Sequence, residues 1–343
     1  MKKFACFLIV LAMASSLLFA GGSADKKPTG KIVIYTSMYE EVVEVVKNEL
    51  QKDFPKCTIE FVFGGTGRME YRVATERAAG KLGCDILMLA ETSFSLEMKE
   101  RNMLHPYLSK EALNLAFEYD PAGYWYPVRI NNMVLAFNPD LNPRNTLPHS
   151  FYDFANDSRV RNAIAIRNPS ISGTSLAALS ALRDKYGYEY FDALSRQGIH
   201  LSYGNEAITQ LESGEYKIIM VLEESILQRR QIRDSTLEVI YPTDGTVMIP
   251  STIMIVDSKW SANKNIHTAE KITDWFLSEK GQNAIVDGWM HSVRADFPRV
   301  PYDSLSTTEI RRSSIPVNWE RNYLQKEEIQ LRFDENVAGR RGN

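Results

Sequence analysis

The sequence predicts an α/β protein of two lobes, each a doubly wound, mostly parallel sheet, with a cleft between them. Three observations carry this. Short apolar runs alternate with segments of helical period. The alternation occurs twice along the chain. The length, 343 residues, suits two domains of ordinary size. Composition agrees: 44% of residues are hydrophobic and 24% charged, both ordinary for a soluble globular chain. These values exclude collagen-like, disordered and disulfide-scaffold classes. A formal charge of −3 gives no electrostatic basis for nucleic-acid binding.

The N-terminus reads as a secretory signal peptide over residues 1–20. Met1-Lys2-Lys3 is a positive start, and Phe4 to Phe19 is an apolar run with small residues near its end. Cleavage is expected after Ala20, with Ala24 as the second choice. No Cys follows the run, and Cys6 would leave with it. The mature chain is therefore expected outside the inner membrane, in the periplasm, where enzymes dependent on cytosolic cofactors are disfavoured.

Lys31–Tyr35 is a short apolar run, the mark of a buried parallel strand. Val42, Val43, Val45, Val46 and Leu50 then follow at helical spacing. Thr58–Phe63 is the second strand, Gly64–Gly67 turns into a helix through Ala79, Asp85–Leu89 is the third strand, and Thr92–Arg101 is a helix. Cys57 and Cys84 precede the second and third strands. In a strand order 2-1-3 they would stand about 9.5 Å apart. A disulfide needs Cα atoms within about 7 Å, so only bent loops would let them pair. The second pattern has strands at Met133–Phe137, Ala163–Ile166, Lys217–Leu222, Leu237–Tyr241 and Val247–Val256. Helices are expected at Ser172–Leu182, Asn205–Glu212, from Glu223, at Ala269–Leu277, Gly281–Val286 and Trp319–Val337.

Ligands of open α/β sheets sit beyond the carboxyl ends of the strands. Those ends share a chemistry here. Ser37, then Gly65-Thr66-Gly67, then Ser172-Gly173-Thr174-Ser175 are small, hydroxyl- or glycine-rich turns at expected helix starts. Helix starts offer unpaired N–H groups and a positive dipole pole, so several together suit a phosphate or carboxylate. Plain N-capping is the other reading. Arg68 and Arg129, the latter opening a lobe-crossing strand, would add guanidinium contacts. Asn205, Glu206, Glu223 and Glu224 lie at later helix starts. Carboxylates there would accept from sugar hydroxyls or an ammonium group, or simply offset the helix dipole.

Enzyme signals are weak. Gly65-Thr-Gly67 lacks the third glycine of a dinucleotide fingerprint. Ser261-Ala-Asn-Lys264 lacks companion motifs. The five histidines have no metal-site spacing. Glu206 with Glu224 would imitate a glycosidase pair, or serve a phosphate-ester hydrolase, only at the right separation.

The motifs Ile34-Tyr-Thr-Ser37, Asp85-Ile-Leu-Met88, Val134-Leu-Ala-Phe-Asn138, Asn168-Pro-Ser-Ile-Ser-Gly-Thr-Ser175, Leu211-Glu-Ser-Gly214 and Phe276-Leu-Ser-Glu-Lys-Gly-Gln282 follow one another along the chain. In that order the sequence resembles the periplasmic solute-binding proteins of ABC importers, in the ferric-ion-binding branch, from about Lys31 to Phe333. The resemblance implies the periplasmic-binding-protein clamshell. Residues 28–132 with 247–298 would form the N-terminal lobe, and 133–246 with 299–343 the C-terminal lobe. The iron-binding members use a histidine, a glutamate and a tyrosine pair; this chain has Tyr39, Ala90 and Glu224-Ser225 there, with Glu91 one residue from the glutamate position. The chain is more similar to the AfuA-type sister group, which binds hexose 6-phosphates. Ser37, Glu206 and Glu224 match that pattern, and Asn205 stands where the group has a histidine. The resemblance also admits a 2-aminoethylphosphonate ligand.

The expected function is capture of a phosphorylated solute for an inner-membrane permease, with no enzyme activity, cofactor or metal. Phosphate would rest on Ser37, Thr66, Gly67, Ser172, Gly173 and Thr174. Asn205, Glu206 and Glu224 would read the organic part, with Arg68 and Arg129 in reach. Tyr124, Trp125 and Tyr126 would line the hinge or pack the core. The protein is expected to be a monomer that closes over its ligand.

Overall fold

The computed structural model describes residues 27–295 and 297–338. The expected signal peptide lies outside the described residues. At one end of the sheet, β1 (Gly30–Thr36) runs between β2 (Cys57–Phe63) and β3 (Ile86–Ala90), parallel to both. The strand order β2-β1-β3 is the one expected. At the other end, β5 (Ile164–Arg167) runs between β6 (His200–Ser202) and β7 (Ile218–Leu222), again parallel to both. Two long strands join these ends. β4 (Tyr126–Phe137) and β9 (Val247–Ile255) pair antiparallel from Tyr126 to Met133. β9 continues against β3, while β4 continues against β7 and β8 (Glu238–Ile240).

Helices cover both faces. Even residues Ile32 and Ile34 of β1 face α1 (Glu40–Asp53), which buries Val42, Val43, Val46 and Leu50. Odd residues Val33 and Tyr35 join Met69 and Val73 of α2 (Thr66–Ala78) and Phe94 of α3 (Ser93–Glu100). A strand buried on both faces cannot alternate polar and apolar residues, which is why β1 reads as one apolar run. Each such aliphatic side chain stabilises the fold by about 1.5–3 kcal/mol.

The second lobe is built on α4 (Phe151–Asn156), α5 (Gly173–Tyr186), α6 (Glu189–Arg196), α7 (Glu206–Ser213) and α8 (Glu223–Arg233). The chain then returns: α9 (Ile266–Leu277) and α10 (Glu279–Asp287) add Phe276 and Ile285 to the α1 side of the first lobe. After α11 (Thr307–Ser313), α12 (Trp319–Phe333) sends Ile329 and Phe333 into the second lobe's core.

The structure adds to the expected elements. β4 covers the expected strand from Met133 and extends back to Tyr126, past Arg129, the residue expected to open a lobe-crossing strand; Asn131 and Asn132 interrupt its apolar run although all its residues are buried. α4, α6, α11 and β6 were not expected; they are short, and β6 has only three residues. Cys57 and Cys84 are buried free thiols, with β1 between their strands. Trp125 and Tyr126 are core residues, and Tyr124 packs against the core edge.

Candidate ligand-binding cleft

The strand ends of the two lobes face one cleft of about 350 Å³. Ser37, Thr66, Arg68, Arg129, Ser172, Thr174, Asn205 and Glu224 all line it. Its buried end is formed by Arg129, Asn131 and Glu224, each at most 3% exposed. Its outer end is formed by exposed residues such as Arg68 and Asn205.

Ser37 leaves the end of β1. Its Oγ accepts from Ala90 N–H (2.8 Å) and from Arg129 Nη2 (3.2 Å). Both acceptor positions are thus used, and the hydroxyl proton is left to donate. Arg129 Nη1 also points at Met290 Sδ (2.9 Å), while its Nε has no partner among the described residues. Burial pulls the Arg129 pKa down to about 10, against the opposing pull of Glu224 and Tyr39. The guanidinium is therefore charged at neutral pH. Burial pushes the Glu224 carboxyl up, and Arg129 and the Asn131 amide pull it back. Asn131 Nδ2 donates to Glu224 Oε1 (2.6 Å), and Asn131 Oδ1 is unpartnered among the described residues.

The starts of α2 and α5 meet across the cleft. A Cβ on Gly173 would lie 2.8 Å from Thr66 Cγ2, and one on Gly67 would lie 3.1 Å from Ile171 Cα. Side chains larger than hydrogen would hold these ends apart. Ser172 caps α5 through Ser175 N–H (3.3 Å) and also bonds Thr174 Oγ1 (3.1 Å). Capping and a place in the cleft are thus combined in one residue.

Three expected site residues do not line the cleft: Gly67, Gly173 and Glu206. The glycines instead form the close approach just described. The expectation for Glu206 is not met by this arrangement. It is exposed, and its Oε1 accepts from Tyr203 N–H (2.7 Å), closing the turn before its own helix. The reading missed Arg167 and Asn131. Arg167 ends β5, where the strand-end rule would have found it; its Nε is buried without a partner.

Tyr39, Ala90 and Glu224, at the iron-ligand positions of the resembling branch, also line the cleft. Glu91 does not: it is fully buried, accepting from Ser93 N–H (2.9 Å) and Asn322 Nδ2 (3.1 Å). Among the described residues, no group of three or more His, Cys, Asp or Glu side chains is placed to hold a metal ion. No helix among them is long and apolar enough to cross a membrane.

Residues 84–322 match the family described as bacterial extracellular solute-binding proteins. No match to a curated protein sequence is found. Among solved structures, the chain is similar to the periplasmic binding protein AfuA from Actinobacillus pleuropneumoniae with fructose 6-phosphate bound. The TM-score is 0.76 at 18% identity, over 90% of this chain and 99% of that one. It is similar to iron-bound HitA from Pseudomonas aeruginosa, with TM-score 0.75 and 16% identity over 89% and 99% of the two chains. The ferric binding protein from Campylobacter jejuni gives TM-score 0.69 and 18% identity over 89% and 99%. At these identities the likeness establishes the fold.

Proposed function

This chain belongs to the bacterial extracellular solute-binding proteins, and from that premise we propose that it captures a phosphorylated organic solute, a hexose 6-phosphate in the first instance. Proteins of this family bind a small ligand and deliver it to an ABC permease. The lobe limits 28–132 with 247–298 and 133–246 with 299–343, the periplasmic location after signal-peptide removal, and a monomeric state are parts of the same reading.

One observation carries it. Three arginines line the cleft, and Arg68 and Arg167 have no carboxylate or other hydrogen-bond partner among the described residues. Unpaired guanidinium groups beside two helix starts suit a phosphate, which accepts several charge-assisted hydrogen bonds. They would repel a bare ferric ion. Ser37, Thr66, Ser172 and Thr174 would add hydroxyl donors. Glu224 and Asn131 would take sugar hydroxyls: the carboxylate accepts, and the free Asn131 Oδ1 also accepts. One similar structure holds fructose 6-phosphate, while two others are iron proteins.

The test is a thermal-shift series on the chain without residues 1–20, using glucose 6-phosphate, glucose, inorganic phosphate, 2-aminoethylphosphonate and ferric citrate. A ligand at 100 times its Kd stabilises the fold by about 2.7 kcal/mol. Glucose 6-phosphate is expected to raise the melting point and glucose is not. Arg167→Met should weaken every phosphate ligand by roughly 10- to 100-fold, the worth of a charged hydrogen bond. Glu224→Gln should weaken the sugar phosphate more than inorganic phosphate. A shift with ferric citrate alone would overturn the proposal.

A further inference from the structure

The cleft does not end at its arginines. A second cavity, of about 390 Å³, shares Gly65, Arg68 and Arg167 with it and opens toward solvent. Tyr71, from the exposed side of α2, lines this outer cavity from the first lobe. Tyr203, just past β6, lines it from the second lobe. These are the most exposed tyrosines of the described residues, at 76% and 63%. Neither side chain belongs to a core cluster, and neither hydroxyl is hydrogen-bonded among the described residues. Among the described residues, no acidic side chain lines the outer cavity.

The shared wall matters most. The start of α2 and the two unpaired guanidinium groups border both cavities, so an anion held there has space on two sides. On the inner side stand Asn131 and Glu224, suited to hydroxyl groups. On the outer side stand the two exposed tyrosine side chains, aromatic surface suited to a ring. A phosphate monoester carries one organic substituent and fills only one side.

We propose that the ligand is a phosphodiester, with a sugar in the inner cleft and a second, ring-bearing substituent seated against Tyr71 and Tyr203. This rests on the phosphate reading of the cleft and names the ligand class more closely. The two tyrosines, one from each lobe, line the same cavity, so the outer substituent contacts both lobes at once. The outer pocket then adds specificity without adding charge.

The experiment is calorimetric titration of the chain without residues 1–20 with three probes: glucose 6-phosphate, its methyl phosphodiester and its phenyl phosphodiester. The phenyl diester is expected to bind about tenfold more tightly than the methyl diester, the scale of one good aromatic contact. The double variant Tyr71→Ala, Tyr203→Ala should remove that gain and leave the affinity for glucose 6-phosphate within twofold. Both tyrosines are exposed, so its melting point should match the wild type, which checks the fold. Equal binding of the methyl and phenyl diesters overturns the outer site. So does a phenyl gain that persists in the double variant. If glucose 6-phosphate binds and both diesters fail, the outer site alone is wrong. If no probe binds, the phosphate reading falls and this inference with it.

Discussion

Two adjacent glutamates at the start of α8 meet opposite environments. Glu223 Oε2 lies 2.9 Å from both Asn132 Nδ2 and His291 Nε2. Its Oε1 accepts from Ser304 Oγ (2.6 Å) and from the Tyr241 hydroxyl. Burial alone would push its pKa up, but His291 and the hydroxyls outweigh burial and hold it below the ordinary value of 4.5. Glu224 is paired with one amide, and there burial wins. The first is a structural tie between α8 and the loop after α10; the second lines the cleft. A depressed carboxyl pKa gives stability that is present above the unfolded value and lost as pH falls through the folded one. Glu223→Gln should therefore lower stability at pH 7 by about 1.5–3 kcal/mol, and the deficit should shrink below pH 4.5. A raised pKa has the reverse sign, so Glu224→Gln should leave stability at pH 7 equal or higher. Melting curves of both variants at pH 7 and 3.5 check this. A Glu223→Gln deficit that is constant with pH would refute it.

At the scale of the element, α12 is a brace between the lobes. Its apolar side belongs to the second lobe, where Phe333 meets Phe191 edge-on at 5.4 Å. Its polar side reaches the first: Lys326 Nζ lies 2.8 Å from both oxygens of Glu70 and 3.8 Å from Glu91 Oε2. Tyr323 donates to Glu100. Burial raises the Glu70 pKa, Lys326 lowers it and Glu91 raises it again; the net is upward. Lys326→Met would leave the fully buried Glu91 and the partly buried Glu70 without their cation, a loss of about 1.5–3 kcal/mol in a pair that solvent still reaches. Protonation relieves that loss, so the gap to the wild type should narrow between pH 7 and pH 4. An equal gap at both values would show that the cation does not hold the brace. The helix itself was legible in the sequence, but its role was not. Lys326 and Glu70 are 256 residues apart, and no local pattern joins them. β4 was half legible for a related reason. Arg129 reads as opening a strand between the lobes, but Asn131 and Asn132 break the apolar run until Glu224 and Glu223 are brought against them. The hydroxyl-rich helix starts were legible because cap chemistry is local. Glu206 shows the limit of that signal, because the same local chemistry serves a helix start and a ligand equally well, and here its carboxylate accepts from Tyr203 N–H.

For the whole molecule, the decisive contact is the one between backbones of different lobes. Gly67 sits in the first turn of α2, facing Ser170 and Ile171 of the second lobe. Its backbone angles are ordinary for a helix, so nothing local requires glycine there. A Cβ would lie 3.1 Å from Ile171 Cα and 3.2 Å from Ser170 O. These are backbone atoms, which cannot swing aside as a side chain can. Closure would stop a few tenths of an ångström short, and the helix starts that face a ligand would part by as much. Gly67→Ala should therefore separate stability from affinity. Alanine favours a helix over glycine by up to about 1 kcal/mol, so the ligand-free variant should melt at the same temperature or higher. Apparent affinity falls in proportion to the population of the closed state. Glucose 6-phosphate should bind at least about tenfold more weakly to Gly67→Ala, and more weakly still to Gly67→Val. The ligand-induced fall in radius of gyration, read by solution scattering, should shrink in the same order. Unchanged affinity with an unchanged fall in radius would show that closure does not bring α2 against Ile171 when ligand is bound. A lower melting point without ligand would show that α2 is pressed against Ile171 in the ligand-free protein as well.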